Sequence, residues 1–363
     1  FYFYKQILYL CAIGCMRFYY IAHRKMKKNT SIYDIAKSLN VSASTVSRAL
    51  QDHPRISTEV RKMVQKKARE MNYKPNRMAV NLKLGKSSTL GVVVPNINRN
   101  FFSSVIDGIE EEAYREGYDV LICQSQELFE KEKKIVNSLA QGRVDGVIAS
   151  LASGPRDYAH FNALENYGIP LVLFDRVSDE IHAGQVTVDD FRGAYMVVEH
   201  LLKQGRRKIF HYASYQHISV WRRRYEGYME AMRSHGIEPG EDWVISGEAS
   251  QLQGQIVARQ LLQMKERPDA VFCTSDFVAM GMMLELLRSG VSIPEDIAIC
   301  GFANEPMDAL VTPSLSSVDQ FSKQMGQQAA RMLLAKINGE NPADVVLMPE
   351  LIVRDSTVGI QRG

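Results

Sequence analysis

Five residues, Ser42, Ala43, Ser44, Ser47 and Arg48, lie within S-I-Y-D-I-A-K-S-L-N-V-S-A-S-T-V-S-R-A-L (31–50) and carry side chains suited to reading base-pair edges. Short side chains let a helix approach the floor of the major groove, and a guanidinium forks onto O6 and N7 of guanine. Two uses fit Arg48 there, a base edge or a phosphate. A second set of polar residues recurs where apolar runs end: Asn96, Gln124, Ser125, Asp175, Arg176, Asp276 and Asn304. With Phe101 and Phe102 as stacking faces, these carboxylates, amides and guanidinium suit the hydroxyls of a sugar or the face of a base. For Asp276 a helix N-cap fits equally well, because Phe277-Val278-Ala279-Met280 follows it.

Chemistry of other kinds finds little support. The eight His contain no H-E-x-x-H, the five Cys no C-x-x-C, and no G-x-S-x-G elbow occurs. Gly85-Lys86-Ser87 mimics the end of a phosphate loop, but Val80 stands where its first glycine belongs and the segment precedes a strand. No enzyme, metal or cofactor is expected. Cys123, Cys273 and Cys300 fall in or beside apolar runs and read as small core fillers, reduced and hence intracellular.

The elements that must position the first set are short helices. Ser31 suits an N-cap, Ile32, Ile35, Ala36 and Leu39 recur at helical spacing, and Asn40 tolerates a left-handed turn. Ser42 caps a second helix with Val46, Ala49 and Leu50 inward, leaving Ala43, Ser44, Ser47 and Arg48 free. A third helix over 58–71, capped by Ser57, turns Val60, Val64 and Ala68 inward and Arg61, Lys62, Lys66, Lys67 and Arg69 outward. Pro75 and Gly85 then bracket a short basic helix that bears Leu82.

Charge divides the chain the same way. Residues 26–88 hold 14 Lys and Arg against 4 Asp and Glu, residues 1–25 add a net +4, and the remainder carries −11 although the whole is only +3. A cationic end suits polyphosphate; the acidic bulk does not.

From Thr89 onward, apolar strands alternate with amphipathic helices. The strand runs are T-L-G-V-V-V-P (89–95), Y-D-V-L-I-C (118–123), D-G-V-I-A-S (145–150), P-L-V-L-F-D (170–175), K-I-F-H-Y-A (208–213), D-A-V-F-C-T (269–274) and I-A-I-C-G-F (297–302). Such alternation predicts α/β architecture with parallel sheets covered on both faces, and some 270 residues exceed one core, so two doubly wound lobes are expected. Ligands in such sheets bind beyond the carboxyl ends of the strands, where the second polar set lies.

Taken in this order, the motifs from Ser31 on resemble the LacI/GalR family of bacterial repressors. The resemblance implies a helix-turn-helix headpiece over 26–74, a hinge helix and linker over 75–88, and a periplasmic-binding-protein-like core over 89–363. It places lobe crossings near Asp190 and Ser317, with a return around Leu351. It puts Ser31, Tyr33, Ser42, Ala43, Ser44, Thr45, Ser47, Arg48 and Ser57 on DNA, followed by Asn76, Ala79, Leu82 and Lys83 from the hinge. Leu82 falls where the family wedges a leucine into a central minor-groove step, though docking on the core is open to it as well. Arg222, in W-R-R-R-Y-E-G-Y, matches a ligand-binding position, with Arg223 or Arg224 as structural neighbours. The implied partners are double-stranded operator DNA, a small-molecule effector of sugar type and a second copy of the chain. The implied function is a cytoplasmic, ligand-responsive repressor of carbohydrate metabolism genes that binds a palindromic operator as a dimer.

Departures from the family pattern concern the effector. Where the family carries G-F-D-[DN], this chain reads Gly301-Phe302-Ala303-Asn304; Ser275-Asp276 replaces an Asn-Asp pair, and Asn100 replaces a Pro before the aromatic pair. One common hydroxyl-binding carboxylate is therefore absent. Residues 1–25, F-Y-F-Y-K-Q-I-L-Y-L-C-A-I-G-C-M-R-F-Y-Y-I-A-H-R-K, read as a translated upstream extension, the working protein being expected to start at Met26, or as a short anchor. The anchor favours a second reading, a membrane-tethered sugar receptor without DNA function. That reading predicts membrane association and no salt-dependent affinity for DNA.

Overall fold

A computed structural model describes residues 30–73, 86–154 and 157–358. The chain divides after Leu84 into two compact units. In the first, α1 (Ile32–Leu39), α2 (Ala43–Leu50) and α3 (Thr58–Glu70) close around Ile35, Ala36, Val46, Ala49, Val64 and Ala68. Each helix starts at a serine whose side chain accepts a first-turn N–H, Ser31 from Asp34, Ser42 from Thr45 and Ser57 from Val60. Asp34 returns the bond to Ser31, completing a capping box, and Asn40 takes the left-handed conformation that turns α1 into α2. The hinge residues Asn76, Ala79, Leu82 and Lys83 lie outside the described residues, as do residues 1–25.

The second unit holds the α/β core. Its first lobe contains β1 (Thr89–Val94), α4 (Asn100–Arg115), β2 (Asp119–Gln124), α5 (Phe129–Gln141), β3 (Gly146–Ala149), α6 (Ala159–Asn162), β4 (Leu171–Phe174) and β5 (Gly184–Val188). The second lobe follows with α7 (Asp190–Lys203), β6 (Ile209–Tyr212), α8 (Ser219–Ser234), β7 (Val244–Ile245), α9 (Gln251–Gln263), β8 (Ala270–Cys273), α10 (Asp276–Arg288), β9 (Ala298–Cys300) and β10 (Ser317–Asp319). The chain then returns through α11 (Ser322–Ile337) and β11 (Val345–Leu347) before ending in β12 (Glu350–Ile352) and α12 (Asp355–Val358).

The first sheet has the order β11-β5-β4-β3-β1-β2 and the second β7-β6-β8-β9, every pairing parallel; β10 and β12 pair antiparallel. Central strands such as β3, β4, β6 and β8 are buried along their whole length, as apolar runs without alternation require. By contrast β2 is an edge, and Leu121 and Ile122 remain 48 and 46% exposed. Helices cover both faces, and close helix crossings rest on glycine. A Cβ on Gly108 of α4 would strike the Lys323 carbonyl of α11, and one on Gly326 of α11 the Val105 carbonyl of α4.

Three passages join the lobes. The chain leaves the first sheet at Asp189, whose backbone N–H donates to Leu347 and whose side chain caps α7; it returns past Gln320 into α11 and leaves again between β11 and β12. All three lie beside the carboxyl ends of the strands. That brings the loops of both lobes to one cleft.

Candidate nucleic-acid interface and effector cleft

On α2, Ser42 shares hydrogen bonds of 2.8 Å with the hydroxyls of both Ser44 and Thr45, so the start of the helix presents an ordered group of hydroxyls. Val46 and Ala49 are fully buried and clamp the opposite side. Ser44 and Arg48 are exposed, with Ala43 and Ser47 half-buried, and the spacing of 44, 47 and 48 puts them on one face. Arg48 makes no ion pair or hydrogen bond with described residues and so extends to solvent. Tyr33 on α1 is 70% exposed, Ser57 is exposed, and Ser31 is half-buried in its capping box.

Arg61 departs from its expected outward role. Its guanidinium donates to the carbonyls of His53 and Ile56, both at 3.3 Å, and pairs with Asp52 at 3.4 Å. It holds the connection between α2 and α3, a tertiary use that helical periodicity cannot reveal.

The interlobe cleft encloses about 360 Å³. Asn96, Phe101, Phe102, Asp175 and Arg176 line it as the sequence suggested, with Phe102 also packed into the first-lobe core. Asp175 sits just past β4 in the left-handed region, φ 58°, and its carboxyl accepts from Ser150 at 3.4 Å. Burial pushes that carboxyl up to about 6 against the pull of Arg176. Arg176 donates to both oxygens of Glu127, at 3.0 and 2.8 Å, and lies 5.2 Å over the Trp221 ring of the second lobe. Burial raises Glu127, but Arg176 and the Ser153 N–H outweigh it and hold the carboxyl below its ordinary value.

Arg224 is the arginine of W-R-R-R that enters the cleft. Its nitrogens donate to Asp190 Oδ1 at 2.7 Å, to the Thr274 carbonyl at 2.7 Å and to Gln320 Oε1 at 2.9 Å. Asp190 starts α7 and Gln320 lies just before α11, so one buried guanidinium ties two of the three passages between lobes. Burial raises Asp190, with the attraction of Arg224 opposing it. Arg222 lies outside this cleft, half exposed, 3.8 Å from Glu226, and lines a separate depression of about 520 Å³ with Asp179, Glu180 and Arg223. Two residues along a helix turn a side chain through about 200°, which separates Arg222 from Arg224.

Other positions expected at the ligand serve the walls behind it. Gln124 reaches Asn96 at 3.4 Å, and buried Ser125 donates to the Val94 carbonyl at 3.5 Å. Asn304 donates to Asp319 at 3.0 Å and accepts from Arg354 at 2.7 Å. Asp276 is the first residue of α10, its N-cap being Ser275, and it is sealed from the cleft: it accepts from Ser317 Oγ at 2.7 Å and from the Glu305 N–H at 3.1 Å. Burial pushes Asp276 up, and burial plus the Asp276 charge pushes the adjacent Asp308 up.

Sequence reasoning missed Arg99, Glu127, Trp221, Phe277 and Glu305, all of which line the cleft. For Arg224 a signal was present. Val220, Arg224, Gly227, Tyr228 and Ala231 recur at helical spacing and form the buried face of α8.

Among the described residues no helix is long and apolar enough to cross a membrane, and no group of three or more His, Cys, Asp or Glu is placed to hold a metal. Residues 31–76 match the family of bacterial regulatory proteins of the lacI type, and residues 198–357 match a periplasmic binding protein-like domain. The chain is 32% identical to the HTH-type transcriptional repressor CytR of Escherichia coli K12 over 336 residues, 92% of this chain and 98% of CytR. It is 30% identical to the HTH-type transcriptional repressor PurR of Pasteurella multocida over 329 residues, 90% of this chain and 98% of that one. Its fold is similar to that of the Lac repressor dimer bound to operator and the anti-inducer ONPF, with a TM-score of 0.82, 26% identity, and coverage of 91% of this chain and 99% of that one. With a family match over its N-terminal helices and relatives 30% or more identical along nearly their whole length, the chain belongs to the LacI family of DNA-binding bacterial transcriptional regulators.

Proposed function

We propose that this regulator binds a palindromic operator as a homodimer and that a neutral, hydroxyl-rich small molecule in the interlobe cleft, a sugar or sugar derivative, sets its affinity for DNA. One observation carries the effector part: Arg224, in the cleft wall, holds residues of two interlobe passages at once. A ligand that displaces or reinforces those bonds changes which lobe arrangement is favoured, and occupancy is thereby converted into a shift of population. Carboxyl, amide and guanidinium groups alternating with Phe101, Trp221 and Phe277 suit a ring with many hydroxyls.

At the DNA, Ser44, Ser47 and Arg48 read the major groove, while Ser31, Tyr33, Ser42, Ala43, Thr45 and Ser57 fix the headpiece on the backbone. Asn76, Ala79, Leu82 and Lys83 occupy the minor groove between two headpieces, as two-fold protein meets two-fold DNA. In this reading the regulator acts in the cytoplasm and performs no catalysis. Gel shifts on a palindromic operator test the scheme. It requires binding as a dimer and a change in affinity with a saturating sugar; monomeric binding, or indifference to every sugar tried, contradicts it.

A further inference from the structure

Two glutamates hold consecutive amides of the loop after β3. Glu132, on α5, accepts the Ala152 N–H at 2.7 Å, and Glu127, just before α5, accepts the Ser153 N–H at 3.0 Å. Arg176 completes the hold: its guanidinium donates to the Leu151 carbonyl at 3.3 Å, and its own carbonyl accepts the Leu151 N–H at 3.3 Å. Ser153 lines the cleft, and the Glu127 Oε2 that takes its N–H also takes the Arg176 guanidinium, at 2.8 Å. Gln126 and Glu127 both have left-handed φ, 58° and 59°, which residues with a Cβ keep only where their surroundings impose it.

Behind this loop, and outside the cleft lining, Glu132 is buried against His160 of α6. His160 Nε2 lies 3.1 Å from Glu132 Oε1, and the ring is packed against Phe129 and Phe161. A carboxylate oxygen only accepts, so Nε2 carries the proton and donates, which leaves the buried Nδ1 as an acceptor without a partner. Glu132 thus has one donor on each oxygen, the imidazole on Oε1 and the Ala152 N–H on Oε2, and a carboxylate buried this deeply is costly without them. We propose that Glu132 and His160 are positioning residues for effector recognition. The imidazole orients the carboxylate on the Ala152 N–H, which sets the loop over 151–153, and that loop together with Glu127 sets the Arg176 guanidinium against Trp221, 5.2 Å away in the cleft. The inference rests on the cleft being the effector site, while the contacts it names stand or fall without any effector.

The experiment uses the full chain without effector or DNA, so its failure and the failure of the sugar reading are separate results. The chain has two tryptophans, and Trp243→Phe serves as the parent so that Trp221 alone emits. Acrylamide quenching of Trp221, and hydrogen exchange by mass spectrometry in peptides covering 150–154, are measured for the parent and for His160→Phe, Glu132→Ala and Glu132→Gln in it. Val136→Ala, a cavity on the same helix that touches none of these bonds, controls for mere loss of stability. In His160→Phe and Glu132→Ala the account predicts about tenfold faster exchange, the worth of one hydrogen bond to a charged group, and stronger quenching of Trp221. It predicts neither change in Val136→Ala, and an intermediate result in Glu132→Gln, whose single oxygen keeps one of the two donors. Unmoved quenching in both His160→Phe and Glu132→Ala, an equal change in Val136→Ala, or Glu132→Gln no better than Glu132→Ala overturns the assignment. Circular dichroism identifies any variant that fails to fold, and Glu132→Gln against the parent then decides alone, an unmoved Trp221 overturning the assignment.

Discussion

Arg224 and Phe302 stack, guanidinium over ring at 3.7 Å from carbon to centroid, and the arginine spends its nitrogens on groups from α7, the residue after β8 and the passage into α11. A planar, permanently charged fork fits this place; a lysine does not. The ring takes one face of the guanidinium while three oxygens take its edge. The result is a rigid joint at the back of the cleft.

Removing that joint leaves Asp190 buried without its partner. Arg224→Ala is expected to lower stability by about 3–5 kcal/mol, Arg224→Lys to recover little of it, and Arg224→Ala with Asp190→Asn to cost less than the two single changes together. Urea denaturation of the wild type, the three single variants and the double variant measures this, and additive costs would refute the pairing.

Arg48 extends from the reading helix without a partner among the described residues. Arg48→Ala should relax preference at one operator position, in each half-site, at about 1–3 kcal/mol per contact, whereas Lys66→Ala should weaken all sequences alike and flatten the salt dependence. Competition binding against single-base operator variants separates them. Uniform weakening by Arg48→Ala would mark it as a phosphate contact.

The cap of the first helix is a matter of two side chains. Ser31→Ala removes an acceptor for the Asp34 N–H and should destabilise the headpiece by about 1 kcal/mol, with Ser31→Asp retaining most of it. Thermal unfolding followed by helical circular dichroism reads the first transition, and an unshifted midpoint in Ser31→Ala would show the cap to be idle.

His211 gives the second lobe an acid sensitivity. It is stacked on Tyr228 and Phe272, its Nδ1 lies 3.1 Å from the Phe272 carbonyl, and burial drives its pKa down from 6.5 to about 3. The unfolded chain takes up a proton below 6.5 and the folded one does not, so stability from this group is complete above 6.5 and falls by about 1.4 kcal/mol per pH unit on descending toward 3. His211→Phe should lose that slope between pH 6 and 4. Parallel pH dependences of the two chains would assign the acid sensitivity to other groups.

How much of this was legible depends on whether a residue acts within its own element. Ser31, Asn40, Ser42 and Ser57 act locally, and their spacing to the apolar positions identified each cap or turn. Parallel sheets followed from unbroken apolar runs, and Asp175-Arg176 from the rule that sites lie beyond strand ends. Arg222 was favoured over Arg224 because the match to a motif outweighed the helical phase set by Val220, Gly227 and Tyr228. Arg61 acts back on the loop before its own helix and Arg99 on the distant Ala249 carbonyl, and no helical pattern announces either. Asp276 read as a cap or a ligand group because a carboxylate pinned by Ser317 and the Glu305 backbone is visible only in three dimensions.

Selection of DNA by the purified full chain tests the central claim most directly. Genomic fragments and random duplexes are competed for the protein at a fixed salt concentration, with the bound pool sequenced. The account predicts enrichment of fragments bearing a two-fold symmetric sequence, and a change in that enrichment when a cleft-filling sugar is added. Equal recovery of genomic and random duplexes would contradict it.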